Sequence, residues 1–406
     1  MTTQRRSPLL AGSHGRALLT SSVVARLPLA MLSIAILVHA QQVTGSFAVA
    51  GLACSAYAIC GALASPALGR LVDRHGQSSV LLVGAAVTAA TLVAMGLQPA
   101  DSPHALLVAL AGVAGLATPP VAACVRTLLP AIVSRPSELP ALFALESTLL
   151  EVTFVAGPPL ALGLGAVWST GGALVVSGVM LLAGTLPFAA HRASRDWRPD
   201  AVAARSRAGS LRAAAIRVLI VADLGTGIVF GATEVGVTAS AKHVAGAAAA
   251  APLLALWGAG SLIGGLIVTR WGDRLRGALR LPVLLAALAL SHGALLVSTH
   301  SLPAMGAIIL LAGATIAPTG SVIYAMVDRF SPAGTRTEAF SWLFTSSSAG
   351  AAAGAAVAGV LVQAVGPEAA FAFAGIAGGL SVAVALLGAG HLAPRCPVAV
   401  AAAPAA

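Results

Sequence analysis

Twelve apolar runs, each about twenty residues long, constrain this chain more than any other feature. They fall near 18–40, 44–68, 78–98, 104–125, 139–164, 168–190, 215–239, 249–269, 281–299, 303–325, 339–364 and 369–390. A run of that length crosses a hydrocarbon core of ~30 Å as an α-helix. Within lipid the backbone must satisfy its own hydrogen bonds, so only helices and closed barrels span. Barrel strands alternate apolar and polar residues over short segments; these runs do not alternate. Composition agrees, with 58% hydrophobic residues, 9% charged residues and a mean hydropathy of +0.94. A soluble domain carries about a quarter charged residues and needs them to cover its surface. The expected fold class is an all-α integral membrane protein with twelve transmembrane helices. The first run is too long for the apolar core of a cleavable signal peptide, and a second follows at once.

The net charge of +10 raises nucleic acid as a partner, and its distribution removes it. When the loops are numbered from an internal N-terminus, 21 of the 23 basic residues fall on one side. They include Arg70, Arg74, Arg126, Arg135, seven arginines from Arg192 to Arg217, Arg270, Arg274, Arg329 and Arg336. Lys242 lies in an opposite loop and Arg26 within the first span. Enrichment of Lys and Arg on the cytoplasmic side orients membrane proteins. Both termini are therefore expected in the cytoplasm, in a multi-pass protein of a bacterial inner membrane.

Cys54, Cys60, Cys124 and Cys396 have neither metal-ligand nor disulfide spacing. Residues 1–16 and the Ala/Pro-rich end of the chain read as disordered. The bias to arginine over lysine, with abundant Ala and Gly, reflects a GC-rich coding sequence rather than a function.

A repeat of about 200 residues organises the chain. After the second span it reads Gly69-Arg-Leu-Val-Asp73-Arg74-His-Gly76, and after the eighth Thr269-Arg-Trp-Gly-Asp273-Arg274-Leu-Arg276. Arg70, Asp73 and Arg74 recur as Arg270, Asp273 and Arg274. Leu110-Ala-Gly and Thr118-Pro-Pro have weaker echoes in Leu311-Ala-Gly and Pro318-Thr319. The division that follows is a six-helix bundle over 1–190, a basic cytoplasmic linker over 191–214, a second six-helix bundle over 215–390 and a disordered tail over 391–406. Internal repeats of this kind build many secondary transporters, with the solute held between the halves near the midplane.

The segment from Gly69 to Gln77 resembles the G-x-L-x-D-R-x-G-R loop between helices 2 and 3 of the major facilitator superfamily, with Gln77 where a basic residue is usual. Glycines at 69 and 76 permit tight packing and left-handed dihedrals. Asp73 can meet the positive end of a neighbouring helix, and Arg74 can bridge to a carboxylate. The resemblance implies that Arg70, Asp73 and Arg74 latch the cytoplasmic side in one conformation. It implies the same for Arg270, Asp273 and Arg274, more weakly because Thr269 replaces a glycine. The alternative is a pair of solvated turns that obey the charge rule.

In the fifth span, Gly157-Pro158-Pro159-Leu-Ala-Leu-Gly163 resembles the G-P-x-x-G region of helix 5 in antiporters of that superfamily, with the last glycine one place late. Proline removes a helical hydrogen bond and bends the helix, and glycine lets helices approach. The resemblance implies a bend at Gly157, Pro158 and Pro159 that favours exchange; a generic kink is the alternative.

Carboxylates inside lipid cost at least ~2.5 kcal/mol and usually face a cavity or a partner. Glu146 and Glu151 lie in the fifth span, and Asp223 and Glu234 in the seventh. Eleven residues return to nearly the same helix face about 16 Å along the axis, so Asp223 and Glu234 mark two depths of one path. Glu146, Glu151 and Asp223 suit proton coupling; an internal salt bridge is the alternative for Glu146, and interfacial hydration for Glu234. Arg26 either snorkels to the inner interface or faces the cavity and pairs with Asp223 or a helix-5 glutamate. An Arg26–Asp223 pair broken by protonation is the working expectation. The span 104–125 lacks the arginine that many proton-coupled exporters carry in helix 4, with Arg126 only at its cytoplasmic end.

No phosphate-binding Gly-Lys-Ser/Thr loop and no His-Glu-x-x-His motif occur. His39, His104, His243 and His300 fall near outer helix ends, as hydrated residues. No enzyme activity, cofactor or metal is expected. The expectation is a monomeric secondary transporter in the lipid bilayer, resembling the drug/metabolite proton antiporter branch. It would export a small molecule such as a drug or metabolite in exchange for protons. Proton-coupled or facilitated uptake of a solute such as a sugar is the alternative.

Overall fold

In the computed structural model, residues 13–99, 102–133, 135, 138–197, 209–246, 249–271 and 280–392 are described. Twelve helices are long and apolar enough to cross a membrane. They are α1 (Ala17–Thr44), α2 (Phe47–His75), α3 (Gln77–Gly96), α4 (His104–Ile132), α5 (Leu139–Val167), α6 (Thr170–Ala190), α7 (Ala214–Ala245), α8 (Ala250–Trp271), α9 (Leu281–Ser298), α10 (Leu302–Phe330), α11 (Arg336–Ala364) and α12 (Pro367–Leu387). Each matches one expected apolar run. The expectations for 1–12, for most of the linker, for Asp273 and Arg274 and for the tail from 393 lie outside the described residues.

Local chemistry sets the ends. Ser46 and Ser169 cap α2 and α6 by accepting from the backbone N–H of Val49 and Gly172. Gly76, at φ 95°, closes α2 with its N–H on the Val72 carbonyl and turns the chain directly into α3. That dihedral is strained for any residue with a Cβ.

The fourth helices of the two halves break at equivalent places. In α4 the helix stops at Ala117 and restarts at Val121, across Thr118-Pro119-Pro120. In α10 it stops at Gly313 and restarts at Ile316, just before Pro318. Prolines lack the N–H that a continuous helix needs. The second piece of α4 is buried nearly all round, with Val121, Cys124, Val125, Arg126, Thr127, Leu128 and Leu129 enclosed. This corrects the expected end of the fourth span: the helix runs past 125 to Ile132, and Arg126 lies inside it. A segment surrounded by protein need not be apolar, so hydropathy ended the span too early.

The helices form two six-helix bundles. Of the four apolar clusters, one draws on both halves, joining Leu18, Val72, Leu128 and Phe143 with Ile216, Leu285, Ile323 and Phe340. The other three stay within one half each. The halves are thus packed together at the end where α1 begins and α2 finishes. Along their sides, α2 meets α11 where Thr345 donates to the Ala62 carbonyl at 2.6 Å. There α5 also meets α8, where a Cβ on Gly258 would lie 2.6 Å from the Val155 side chain.

Candidate substrate and coupling site

Between the halves lies a cluster of charged side chains in an otherwise apolar interior. Arg26 of α1 donates from Nη1 to Glu146 Oε1 at 2.6 Å, and Arg126 of α4 donates from Nε to Glu146 Oε2 at 2.9 Å. Arg26, Arg126 and Glu146 are 3%, 4% and 0% exposed. Arg26 Nε also donates to the Ser22 carbonyl at 3.3 Å. The guanidinium of Arg126 lies 3.8 Å from the centre of the Tyr324 ring of α10. Tyr324, Phe143 and Phe340 pack together with ring centroids 6.3–6.4 Å apart.

Arg26 therefore does not snorkel, and it does not meet Asp223. Its partner is the helix-5 glutamate, because α1 packs on α5 within the same half. Asp223 of α7, 9% exposed, accepts a hydrogen bond from Ser346 of α11 at 3.1 Å, with Thr226 at 3.4 Å. The Thr226 hydroxyl is closer to the Asp223 carbonyl, at 2.7 Å. Arg126 is near enough to interact with Asp223 electrostatically, yet forms no salt bridge with it.

Glu151 is half-buried on α5 and faces Ser261 of α8 across the boundary between halves, without a well-formed hydrogen bond. Glu234 is exposed, unlike Asp223 on the same helix, so the two depths of one path are not equally enclosed. Gly157 is buried where α5 crosses α1; a Cβ there would lie 2.8 Å from the Ala30 carbonyl carbon and Cβ. Pro158 and Pro159 follow inside a helix continuous from Leu139 to Val167. His39 is buried rather than hydrated, bonded to Thr170 at 3.1 Å and to the Met95 carbonyl at 2.9 Å.

At the basic end, Asp73 accepts the backbone N–H groups of Thr337 and Glu338 at 3.1 and 2.8 Å. These are unpaired donors in the first turn of α11, where the helix dipole favours an anion. The carboxylate of Glu338 is held by Arg70 at 2.8 and 3.2 Å. The bridging arginine is thus Arg70; Arg74 is exposed and makes no ion pair among the described residues. Gly69 permits the approach, since a Cβ there would lie 2.9 Å from the Thr337 carbonyl. Thr127 and Thr337 meet at 3.2 Å beside the same contact. In the second copy, Arg270 lies over the Trp271 ring at 5.7 Å.

Sequence reading missed Arg126 as an interior residue, together with Tyr324, Glu338 and Ser346. Tyr324 is one of only two tyrosines in the chain, a rarity in an apolar span that could have marked it. Among the described residues no group of three His, Cys, Asp or Glu side chains could hold a metal ion. A groove of about 260 Å³ lined by Ile34, Val38, Ala161 and Leu162 lies within the first half and contains no ionisable group.

Two bundles of six spans, packed together at one end and enclosing charged side chains between them, have the architecture of a membrane transporter. The chain belongs to the Major Facilitator Superfamily, whose family model matches residues 18–291 and 218–401. Among solved structures, a bacterial homologue of the iron transporter ferroportin in an outward-facing state is similar, with TM-score 0.75 and 18% identity over 92% of this chain and 99% of that one. The human organic anion transporter MFSD10 (TETRAN) is similar with TM-score 0.70 and 16% identity, over 91% and 99%. At these identities the likeness shows the fold alone. No curated protein sequence matches.

Proposed function

We propose that this chain is a proton-coupled secondary transporter that exports a small organic molecule, a drug or metabolite, from a bacterial cytoplasm by alternating access. The observation that carries the coupling is Asp223. It is an enclosed acid at the boundary of the halves, held by hydroxyls and free to change its protonation state without breaking an ion pair. Glu151 is a second candidate, at the α5–α8 boundary. Glu146 serves instead to hold Arg26 and Arg126. The latch of Arg70 and Asp73 on α11 closes the cytoplasmic side, and rocking of the halves releases it. The likeness of Gly157, Pro158 and Pro159 to the helix-5 region of antiporters supports export by exchange for protons, and Gly157 allows the close crossing of α5 on α1. The excess of basic residues at the latch end supports cytoplasmic termini in an inner membrane.

A second coupling mode, movement of solute and proton together, is favoured by two buried guanidinium groups facing one carboxylate. Iron, the cargo of the ferroportin to which one similar structure is homologous, is a poor fit to a cluster led by arginines. Flux of a candidate solute in energised inverted vesicles, with and without a pH gradient, tests the proposal. A solute moved only down its own gradient, untouched by pH, would remove the proton from the mechanism.

A further inference from the structure

The arginine cluster carries one positive charge more than its own carboxylate can balance. Arg26 and Arg126 share Glu146, and all three are almost wholly buried. Each guanidinium is only partly used. The Nη2 atom of Arg26 and that of Arg126 are both buried and have no hydrogen-bond acceptor among the described residues. Buried polar groups are nearly always paired, so two such donors on neighbouring cations point to a bound acceptor. Guanidinium groups pair best with oxyanions such as carboxylates, phosphates and sulfonates, two of whose oxygens can accept neighbouring N–H groups side by side. Tyr324 covers one face of Arg126, and Phe143 and Phe340 pack against that ring. The surroundings therefore suit an oxyanion attached to a small apolar or aromatic body.

We infer that the transported solute is a small organic anion, its oxyanion taken by the Nη2 groups of Arg26 and Arg126. The inference rests on the proton-coupled reading of Asp223 and selects between its two coupling modes. An anion adds negative charge beside Arg126, and a proton on Asp223 removes it. Each therefore strengthens binding of the other, as linkage requires. Solute and proton then move together, so for an anionic solute cotransport takes the place of the proton exchange proposed above, and the steeper of their gradients sets the direction. The ionisable groups that face Asp223 are Arg126 and Tyr324, on α4 and α10. Both lie in the cluster just described.

The test uses the full chain in detergent and three probes of similar shape: benzenesulfonate, benzenesulfonamide and benzyltrimethylammonium. Benzenesulfonate is expected to raise the unfolding temperature and the other two to leave it unchanged. Arg26→Lys and Arg126→Lys keep the charge but lose the fork, and each should weaken benzenesulfonate binding about tenfold. Glu146→Gln removes the built-in competing carboxylate and should tighten binding by about tenfold, a gain that a merely structural ion pair would not give. Should these variants fail to fold, the wild-type titration decides alone. No stabilisation by benzenesulfonate, or equal stabilisation by the neutral or cationic probe, overturns the inference. Flux into liposomes separates it from the coupling proposal. Benzenesulfonate flux indifferent to a pH gradient leaves the anion site standing and removes the proton. Flux of the cation driven by that gradient keeps the proton and removes the anion site.

Discussion

The guanidinium of Arg126 lies 3.8 Å from the centre of the Tyr324 ring, so a cation of the first bundle is capped by an aromatic ring of the second. Glu146 holds that cation from behind, and Thr127, the next residue, meets Thr337 of α11. Separation of the halves at this end must break the ring contact. A buried cation–π contact contributes about 2 kcal/mol. Tyr324→Phe should leave closure near wild type and Tyr324→Leu should loosen it. Alkylation of a cysteine placed at Thr127, with the native cysteines replaced, would report this as a faster rate in the leucine variant alone.

Asp73→Asn tests the latch. An ionised carboxylate takes two N–H groups of α11 and meets its dipole, whereas an amide offers one acceptor oxygen and no charge. The expected loss is about 1–2 kcal/mol of the closed state. The same cysteine probe should react faster, and transport should fall. Unchanged labelling would make the loop an ordinary solvated turn.

Glu146 and Arg26 should differ in what their loss does to the fold. Arg26→Met leaves Glu146 paired with Arg126, whereas Glu146→Ala leaves two buried guanidinium groups without an anion. Breaking a buried pair by removing one partner costs about 3–5 kcal/mol. Thermal unfolding in detergent should show Glu146→Ala as clearly the less stable of the two.

Glycines of the fifth helix should separate by their surroundings. A Cβ on Gly157 would lie 2.8 Å from Ala30, while Gly163 has nothing within 4 Å. Overpacking of this kind costs about 1–3 kcal/mol. Gly157→Ala should therefore lower the unfolding temperature, with Gly163→Ala neutral.

His292 is fully buried and accepts from the Trp257 indole N–H at 3.1 Å. His292→Phe strands that donor at a cost of about 1–3 kcal/mol. A drop in unfolding temperature with solute selectivity intact is the expected pair of readings; altered selectivity would draw His292 into the solute path.

Much of this was legible in the chain. The twelve spans could be read because each is a continuous run whose transfer to lipid depends on its own residues. Asp73 was legible because a short loop motif carries its own geometry. Its partner was not: Glu338 lies 265 residues away, and nothing near Asp73 points to it. Arg126 was misplaced because hydropathy measures fitness for lipid, and this part of α4 is enclosed by other helices. His39 was misjudged for a related reason. Depth along a span says how near the interface a residue lies, while its partners Thr170 and Met95 belong to neighbouring helices.

The sequence by itself determined that the chain is helical, spans a membrane twelve times and repeats its plan. Those properties sum over local residues or are written twice along the chain. Only the tertiary structure decided which charges meet. Arg26 stands on Glu146 rather than Asp223, and Arg126 reaches Tyr324 in the other half. Such pairings depend on how helices rotate about their axes and on which neighbours they pack against. A shift of a few ångströms changes the partner while leaving every apolar run intact.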